Sequence, residues 1–366
     1  MAVKTVNDVM AVVSYRLRRL FLEQTTFADS FSPRTHALLF LSGEKACIFL
    51  LFVHDMAKNR NKYLDYIAYL GMRLFAMFVH MFDHKTNYRT AALIGNLLYR
   101  FDKRHRKRAL EHLRLSFPDW SDEKRRQVAR ASMRNLVYLG LEVLFTTRLI
   151  TPGRWRRHIT LTDMSETIRL LLERESGVIM LTGHFGNWEV VGYMMATLGF
   201  PTVSIARRLD NLYIDKYVFG IRQNTGQMIL DKRGATTAAP EVLENKGVVG
   251  FIADQDAGKK GAFVDFFGRK ASTYKSIALL AIQYNAPVII GFGRRLDEDY
   301  HFEIGIQRLI RPEEWADKDD PVMWITQEYT TALENVVRRA PEQYLWVHRR
   351  WKHRPKGEEP GPDGVA

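Results

Sequence analysis

The sequence predicts an α/β fold in which helices flank a mostly parallel central sheet. The clearest observation is a short apolar run, Val178–Thr182, which lies between two glycines and is typical of a buried strand. Several such runs follow, and segments with helical spacing of apolar residues lie between some of them. Strands that alternate with helices along a chain favour a parallel sheet. The other predicted strands are residues 201–206, 227–230, 247–253, 262–266 and 286–292.

The remaining elements follow from periodicity and capping. Apolar residues at positions 93, 94, 97, 98 and 101 recur at helical spacing. Ser121, followed by two acidic residues, is typical of a helix N-terminus, and the apolar pattern extends that helix to about residue 145. Helices are also predicted over residues 273–284 and 321–339. Residues 301–306 alternate between apolar and polar side chains, which predicts an edge strand.

Composition divides the chain into four segments. Residues 1–62 form an extension, and Met56 marks an alternative native start within it. Residues 63–82 are apolar over about the length of a spanning helix, which predicts a membrane anchor. A central Arg73 leaves open whether this helix spans the bilayer, lies in its interface or is buried in the protein core. Residues 83–356 form the main domain, and residues 357–366 are a loose tail.

The charge balance of the chain calls for an anionic partner. Its 54 Lys and Arg residues exceed its 41 Asp and Glu residues, so the formal net charge is +13. Nucleic acid, anionic lipid and an acidic carrier protein all fit this excess. The single cysteine, Cys47, excludes an intrachain disulfide and a cysteine-based zinc site.

The sharpest motif is the segment Gly183-His184-Phe185-Gly186-Asn187-Trp188-Glu189, which follows a predicted strand and precedes a helical run. Ligands of open α/β sheets bind at the carboxyl ends of the strands, so His184 lies where chemistry is expected. If His184 lies before the helix and Glu189 lies inside it, the two side chains meet. A carboxylate bonded to one imidazole nitrogen makes the other a better proton acceptor, as a general base requires.

Other readings of this edge of the sheet remain open. His184 is equally typical of a capping or core residue, and a cation held by His184, Glu189 and the acidic pair Asp254 and Asp256 is a weaker alternative. Asp254-Gln255-Asp256 ends another predicted strand and should face the same side as His184. Arg207 and Arg208 follow a third strand, where they would bind a phosphate or an oxyanion or form a solvated basic loop.

The C-terminal run, residues 346–355, interleaves tryptophans with basic residues. This pattern predicts a segment at the bilayer interface, with the rings at headgroup level and the cations on phosphates. Nucleic-acid binding and a plain solvated basic helix are the alternatives.

In order along the chain, these motifs resemble those of the late acyltransferases of bacterial lipid A biosynthesis, the lauroyl and myristoyl transferases, and of the related phosphatidylinositol mannoside acyltransferases. The resemblance covers roughly residues 63–355. It is carried by residues 183–189, Ala206-Arg207 with Asn211, Asp254-Gln255-Asp256, Phe266-Phe267-Gly268, Ala286-Pro287-Val288 and the segment from Pro341 to Trp351.

The resemblance implies a glycerolipid-acyltransferase-like fold with an N-terminal membrane-associated helix and a catalytic face on the cytoplasmic side of the inner membrane. His184 would deprotonate a glycolipid hydroxyl with the help of Glu189, and acyl carrier protein or acyl-CoA would be the donor, with no metal or cofactor. The implied substrate-binding residues are Asn187, Trp188, Arg207, Asn211, Asp254, Asp256 and Arg349.

Two functions of other classes compete with acyl transfer. A non-enzymatic protein that docks on anionic membranes would show salt-sensitive liposome binding and no effect of His184 substitutions. A nucleic-acid-binding protein is the third reading, but the sequence carries no zinc finger, helix-turn-helix or RNA-recognition signature, so no nucleic-acid partner is expected.

Overall fold

The computed structural model describes residues 61–200, 202–206, 209–223, 228–231 and 235–358. These residues belong to one compact unit. The predicted extension lies almost entirely outside them, as does its alternative start at Met56. The predicted loose tail, of which only residues 357 and 358 are described, lies mostly outside them too.

A seven-stranded sheet forms the centre of the molecule, in the order β1-β9-β8-β2-β5-β3-β4. The five strands from β8 to β4 run parallel to one another, and β9 lies antiparallel to β8 and parallel to β1. A separate antiparallel hairpin joins β6 and β7. The strands are β1 (Ile159–Thr162), β2 (Val178–Thr182), β3 (Thr202–Ala206), β4 (Met228–Asp231), β5 (Val248–Ile252), β6 (Ala262–Phe266), β7 (Arg269–Thr273), β8 (Val288–Arg295) and β9 (Phe302–Ile310).

Helices precede the sheet and connect its strands. They are α1 (Lys62–His80), α2 (His84–Phe101), α3 (Lys103–Ser116), α4 (Asp122–Leu149), α5 (Ser165–Glu173), α6 (Trp188–Thr197), α7 (Leu212–Gln223), α8 (Ala235–Glu244), α9 (Lys275–Gln283) and α10 (Pro321–Arg339). The Ser121 side chain caps α4, since its oxygen accepts a hydrogen bond from the Lys124 backbone N–H at 3.2 Å. The mixed α/β architecture and the mostly parallel sheet predicted from the sequence are confirmed.

The position predicted for the strand near residue 301 was wrong. Strand β9 is an interior strand because β1, a four-residue segment that the sequence pattern did not reveal, pairs with its outer side. The hairpin strand β6 was predicted as a strand, but it lies outside the central sheet. Both differences concern pairing between distant segments, which local periodicity does not determine.

The C-terminal tryptophans are buried in the protein, so their predicted place at a bilayer interface was wrong. Trp346 and Trp351 are 0% and 1% exposed. Both belong to a hydrophobic cluster that also contains Leu113 of α3, Met133 of α4 and Phe266 of β6. The segment forms turns rather than the solvated helix that was the alternative. Burying these large rings anchors the C-terminal segment against the helical layer.

Helix α1 occupies most of the predicted membrane anchor, residues 63–82. Among the described helices, none combines the length and the apolar character needed to cross a membrane. One side of α1 packs on the protein through Met72, Ala76 and Val79. The opposite stripe exposes six large apolar side chains to between 42% and 78%, at positions 67, 70, 74, 77, 78 and 81. Because of this exposure, α1 is not enclosed on all sides as a core helix would be.

Aromatic contacts hold α1 against α7. The ring of Tyr66 meets that of Tyr213 edge to face at 5.2 Å. The Arg73 guanidinium, expected to be costly inside a bilayer, lies over the ring of Tyr217 at 4.9 Å from its centroid. Such a contact stabilises a cation at the protein surface.

Candidate active site

The candidate site lies where two neighbouring parallel strands end. Strands β2 and β5 pair in register, with Thr182 opposite Ile252, and the Ala253 backbone N–H donates to the Thr182 carbonyl at 2.9 Å. His184 follows the end of β2, and Asp254 follows the end of β5. The sheet therefore brings the two side chains together at its carboxyl edge, as the sequence predicted for their positions.

Both oxygens of Asp254 contact His184. Oδ2 accepts a hydrogen bond from the His184 backbone N–H at 2.8 Å, and Oδ1 lies 2.7 Å from Nδ1 of the imidazole. Asp254 is 2% exposed. Burial alone would raise the pKa of Asp254, but the facing His184 imidazole and these hydrogen bonds hold that pKa below its usual value. An ionised carboxylate keeps the proton on Nδ1, which leaves Nε2 as the basic nitrogen.

The orienting hydrogen bond that the sequence assigned to Glu189 is made by Asp254 instead. Glu189 lies where it was predicted, in the first turn of α6 with His184 in the loop before the helix. Nδ1 is instead occupied by Asp254, which the end of the neighbouring strand β5 delivers. The order of strands in the sheet decides which carboxylate pairs with His184. The spacing of residues within one motif therefore cannot predict it.

Gly186 lets the loop between β2 and α6 fold tightly against the sheet. Its φ is +56°, in the left-handed region that favours glycine, and an added Cβ would overlap the carbonyl oxygen of Gly293. Its backbone N–H donates to the Gln343 carbonyl at 2.9 Å, and the next N–H, of Asn187, donates to the Gly293 carbonyl at 2.8 Å. These bonds fix the loop that carries His184.

Replacing Gly186 with Ala should therefore destabilise the fold by about 2–4 kcal/mol, because it adds a backbone clash to an unfavourable φ. Gly268 is a matched control, since its φ is also positive (+68°) but its Cβ would meet open space. Gly268→Ala should cost only about 1 kcal/mol. Chemical denaturation of the two variants measures the difference, and equal losses would show that the contact with Gly293 is unimportant.

Asn187, predicted to bind substrate, is 0% exposed and supports the loop from within. Its side-chain oxygen caps α6 by accepting from the Val190 N–H at 2.9 Å, and its amide donates to Glu142 of α4 at 2.8 Å. The Glu142 carboxylate is also buried, and it pairs with Arg295 of β8 and accepts from the Tyr88 hydroxyl. Asn187 thus joins the loop that contains His184 to a buried ion pair, and these contacts account for its position without a bound substrate.

The segment after α10 completes the site. Its Leu345 N–H donates to the His184 carbonyl at 3.0 Å, and Tyr344 forms an isolated β-bridge with Phe185. This pairing brings the ring of His348 to 4.4 Å from the ring of His184. His348 was not among the predicted site residues, because it lies within a run whose tryptophans and basic residues suggested a bilayer interface.

Two more side chains line His184. The ring of Trp188, predicted as a site residue, meets the imidazole edge to face at 4.8 Å, so the structure brings these two together. The Gln255 amide nitrogen lies 3.4 Å from His184 Nε2. A weak hydrogen bond of that length marks Nε2 as an acceptor and is easily displaced by a better donor.

The other predicted substrate-binding residues are bonded to other parts of the protein, follow His348 in the chain, or lie outside the described residues. Asp256 binds the backbone and the ring of His353, with its Oδ2 at 2.7 Å from Nδ1. Asn211 caps α7 and donates to the Asp65 carbonyl of α1 at 2.8 Å. Arg349 is partly buried, two residues after Val347 in the C-terminal segment. Arg207 lies outside the described residues.

Comparison with known proteins settles the family. The family model for bacterial lipid A biosynthesis acyltransferases matches residues 56–353. The chain belongs to this family. It is 26% identical over 298 residues to the lipid A biosynthesis lauroyltransferase of Escherichia coli, and this match covers 80% of this chain and 93% of that protein. It is 27% identical over 276 residues to the palmitoleoyltransferase of the same organism, covering 72% and 84%.

A more distant similarity extends to another glycolipid enzyme. A phosphatidylinositol mannoside acyltransferase of Mycobacterium tuberculosis is 26% identical over 117 residues, which is 31% of this chain and 37% of that protein. This lipid A acyltransferase family member is therefore an O-acyltransferase, and the strand-end loops described above lie within the matched region.

Proposed function

We propose that this protein transfers a fatty acyl group from an acyl thioester to a hydroxyl group of a lipid A precursor. The observation that carries the proposal is the buried pair of His184 and Asp254 at the tips of adjacent strands, inside the region matched by the acyltransferase family. Acyl transfer to a hydroxyl needs a base at this point, and a histidine whose tautomer is fixed by a carboxylate provides one.

In the proposed reaction, Nε2 of His184 removes the proton of the acceptor hydroxyl as its oxygen attacks the thioester carbonyl carbon. The ester C–O bond forms, the C–S bond breaks, and the imidazolium returns the proton to the departing thiolate. The products are the acylated lipid and a free thiol. Asp254 stabilises the imidazolium throughout, because its carboxylate stays ionised and bonded to Nδ1.

Glu189 and Arg207 have proposed roles on the substrates rather than on His184. Glu189 lies one residue after Trp188, whose ring touches the imidazole of His184. The partly buried Glu189 is therefore placed to accept a hydrogen bond from the lipid that receives the acyl group and to orient that lipid. We assign Arg207, which follows β3, to a substrate phosphate or to the developing oxyanion. Arg349, near His348, is the second cation proposed to contact the acceptor.

The acyl donor is proposed to be acyl carrier protein, with acyl-CoA as the alternative. The net charge of +13 favours an acidic protein partner through electrostatic steering. The acceptor is proposed to be a lipid A precursor. The two Escherichia coli relatives are transferases of lipid A biosynthesis, and this chain matches them over most of their length. A phosphatidylinositol mannoside is the alternative acceptor, supported by a shorter match.

The exposed stripe of α1 suits a membrane surface. Ile67, Leu70, Leu74, Met77 and Met81 recur at intervals of three and four residues and are all more than 40% exposed. An apolar stripe on a helix whose other side packs on the protein favours insertion into the headgroup region. We therefore propose that α1 lies in the interface of the cytoplasmic leaflet of the inner membrane, where a lipid acceptor would be within reach.

The variant Leu74→Glu/Met77→Glu should lower the affinity for vesicles at least about tenfold, since charged residues replace two inserted apolar ones. Leu279→Glu is the control, because Leu279 of α9 is 48% exposed and outside the stripe. Co-sedimentation with vesicles of phosphatidylethanolamine and phosphatidylglycerol measures both. If the two variants bind alike, α1 is not the contact surface.

The proposed reaction is tested by incubating the full chain with a lipid A precursor and either acyl carrier protein or coenzyme A loaded with a fatty acid. Mass spectrometry should show the precursor heavier by one acyl group and an equal amount of free thiol. A parallel reaction with a phosphatidylinositol mannoside identifies the alternative acceptor. The proposal fails if no acceptor is acylated with either donor while the protein is folded.

A further inference from the structure

We infer that His348 is a second active-site imidazole, which donates a hydrogen bond to the carbonyl oxygen of the acyl thioester. The inference rests on the proposed function, because it names the group that acts on the donor while His184 acts on the acceptor. It begins from a geometric fact. The two rings lie 4.4 Å apart between centroids and are tilted by 52°, in a site built from segments far apart in the sequence.

The position of His348 is fixed from two directions. On one side, the Leu345 N–H is bonded to the carbonyl of His184 itself. On the other, Arg108 of α3 donates to the Val347 carbonyl at 3.0 Å, and Nδ1 of His112 lies 3.0 Å from the Trp346 carbonyl. These carbonyls belong to the two residues that precede His348. A backbone held in this way keeps His348 beside His184, and a fixed position is what a preorganised hydrogen-bond donor requires.

His348 is also accessible in a way that suits contact with a substrate. The residue is partly exposed, whereas its neighbours Val347 and Arg350 are buried. The buried neighbours give the segment its fixed path, and His348 lies beside the imidazole of His184, which Trp188 and Gln255 also meet.

The surroundings of His348 keep its ring neutral. Burial, followed by the nearby His184, Arg108 and His112, lowers the pKa of His348 to about 3, although Asp254 acts in the opposite direction. A neutral imidazole carries one N–H and no charge. It can therefore donate to an oxygen that becomes negative, and it does not repel the imidazolium that His184 becomes when it takes the acceptor proton.

The distance between the two rings suits separate roles, in which His184 binds the acceptor hydroxyl and His348 binds the thioester carbonyl oxygen. In a reactive complex the hydroxyl oxygen and the carbonyl carbon lie about 3–3.5 Å apart. The base binds the hydroxyl and the donor binds the carbonyl oxygen, each over about 3 Å. Two imidazoles that serve these adjacent atoms must be close neighbours without being bonded to each other, as His184 and His348 are.

The test compares His348→Phe, which keeps a ring but removes the N–H, with His348→Gln, which keeps a neutral N–H donor. Steady-state acyl transfer by the full chain is measured with a lipid A precursor and acyl carrier protein loaded with a fatty acid. For His348→Phe, kcat should fall about a hundredfold to a thousandfold with little change in KM. For His348→Gln, kcat should stay within about tenfold of the wild type.

Controls separate this inference from folding effects and from the proposed function. His301→Phe changes a partly exposed histidine that is paired with Asp297 on the surface, and it should leave kcat unchanged. Rates are compared at a temperature at which melting curves show every variant folded. The inference is overturned if His348→Phe keeps its kcat while His184→Ala loses it, or if the Gln and Phe variants lose equally. If His184→Ala keeps wild-type activity, the proposed role of His184 as the base fails, and if the wild-type chain acylates no acceptor, the proposed function itself fails.

Discussion

His184→Ala should lose about a hundredfold to ten-thousandfold in kcat, because it removes the group proposed to take the proton of the acceptor hydroxyl. The rest of the site would survive the change. The loop is held by backbone bonds from Gly186 and Asn187 and by the bridge between Phe185 and Tyr344, none of which uses the imidazole. The KM values for donor and acceptor should therefore change much less than kcat.

The measurement for His184→Ala is single-turnover acyl transfer with preformed donor and excess acceptor, which isolates the chemical step from product release. Glu189→Gln provides the comparison within the same motif. Under the proposed roles, Glu189 orients the acceptor and its loss should mainly raise the KM for the acceptor. A larger loss of kcat for Glu189→Gln than for His184→Ala would reverse the assignment of the base.

Asp254→Asn should cost about a hundredfold or more in kcat while changing the shape of the site very little. The two oxygens of Asp254 accept from the backbone N–H of His184 and face its Nδ1. An asparagine has only one acceptor. If its oxygen keeps the backbone bond, its amide N–H₂ faces Nδ1 and forces the proton onto Nε2, so the imidazole can no longer act as a base.

A matched control for this substitution exists on the surface. Asp297 also faces a histidine nitrogen, that of His301 at 2.6 Å, and also accepts from a backbone N–H, that of Asp299 at 2.8 Å. Asp297→Asn should leave acyl transfer unchanged. The double variant His184→Ala/Asp254→Asn should be no slower than His184→Ala alone, since the carboxylate acts only through the imidazole. Additive losses would mean that Asp254 acts on the substrate directly.

The local part of the site could be predicted from the sequence. Strand β2, the loop that contains His184 and the helix that contains Glu189 are encoded in consecutive residues, by an apolar run, two glycines and a helical pattern. The capping residue Ser121 and the helix over Pro321–Arg339 are equally local. Interactions within one or two turns decide such elements, so periodicity and residue type were sufficient.

The pairing of His184 could not be predicted in the same way. It depends on β5 lying beside β2, and strand order is set by packing across the whole sheet rather than by the motif. The same holds for His348, which reaches the site because the Leu345 backbone N–H donates to the His184 carbonyl. The prediction that the neighbouring tryptophans lie at a bilayer interface was wrong. A segment with buried rings and a segment with interfacial rings can show the same pattern of aromatic and basic residues.

A crystal structure of the protein with a bound acceptor would test the role of His184 most directly, by locating the hydroxyl that becomes acylated. The hydroxyl oxygen should lie about 2.6–3.2 Å from Nε2 of His184, with Nδ1 still on Asp254. A complex in which that hydroxyl is bonded to Glu189 and lies out of reach of Nε2 would contradict the account.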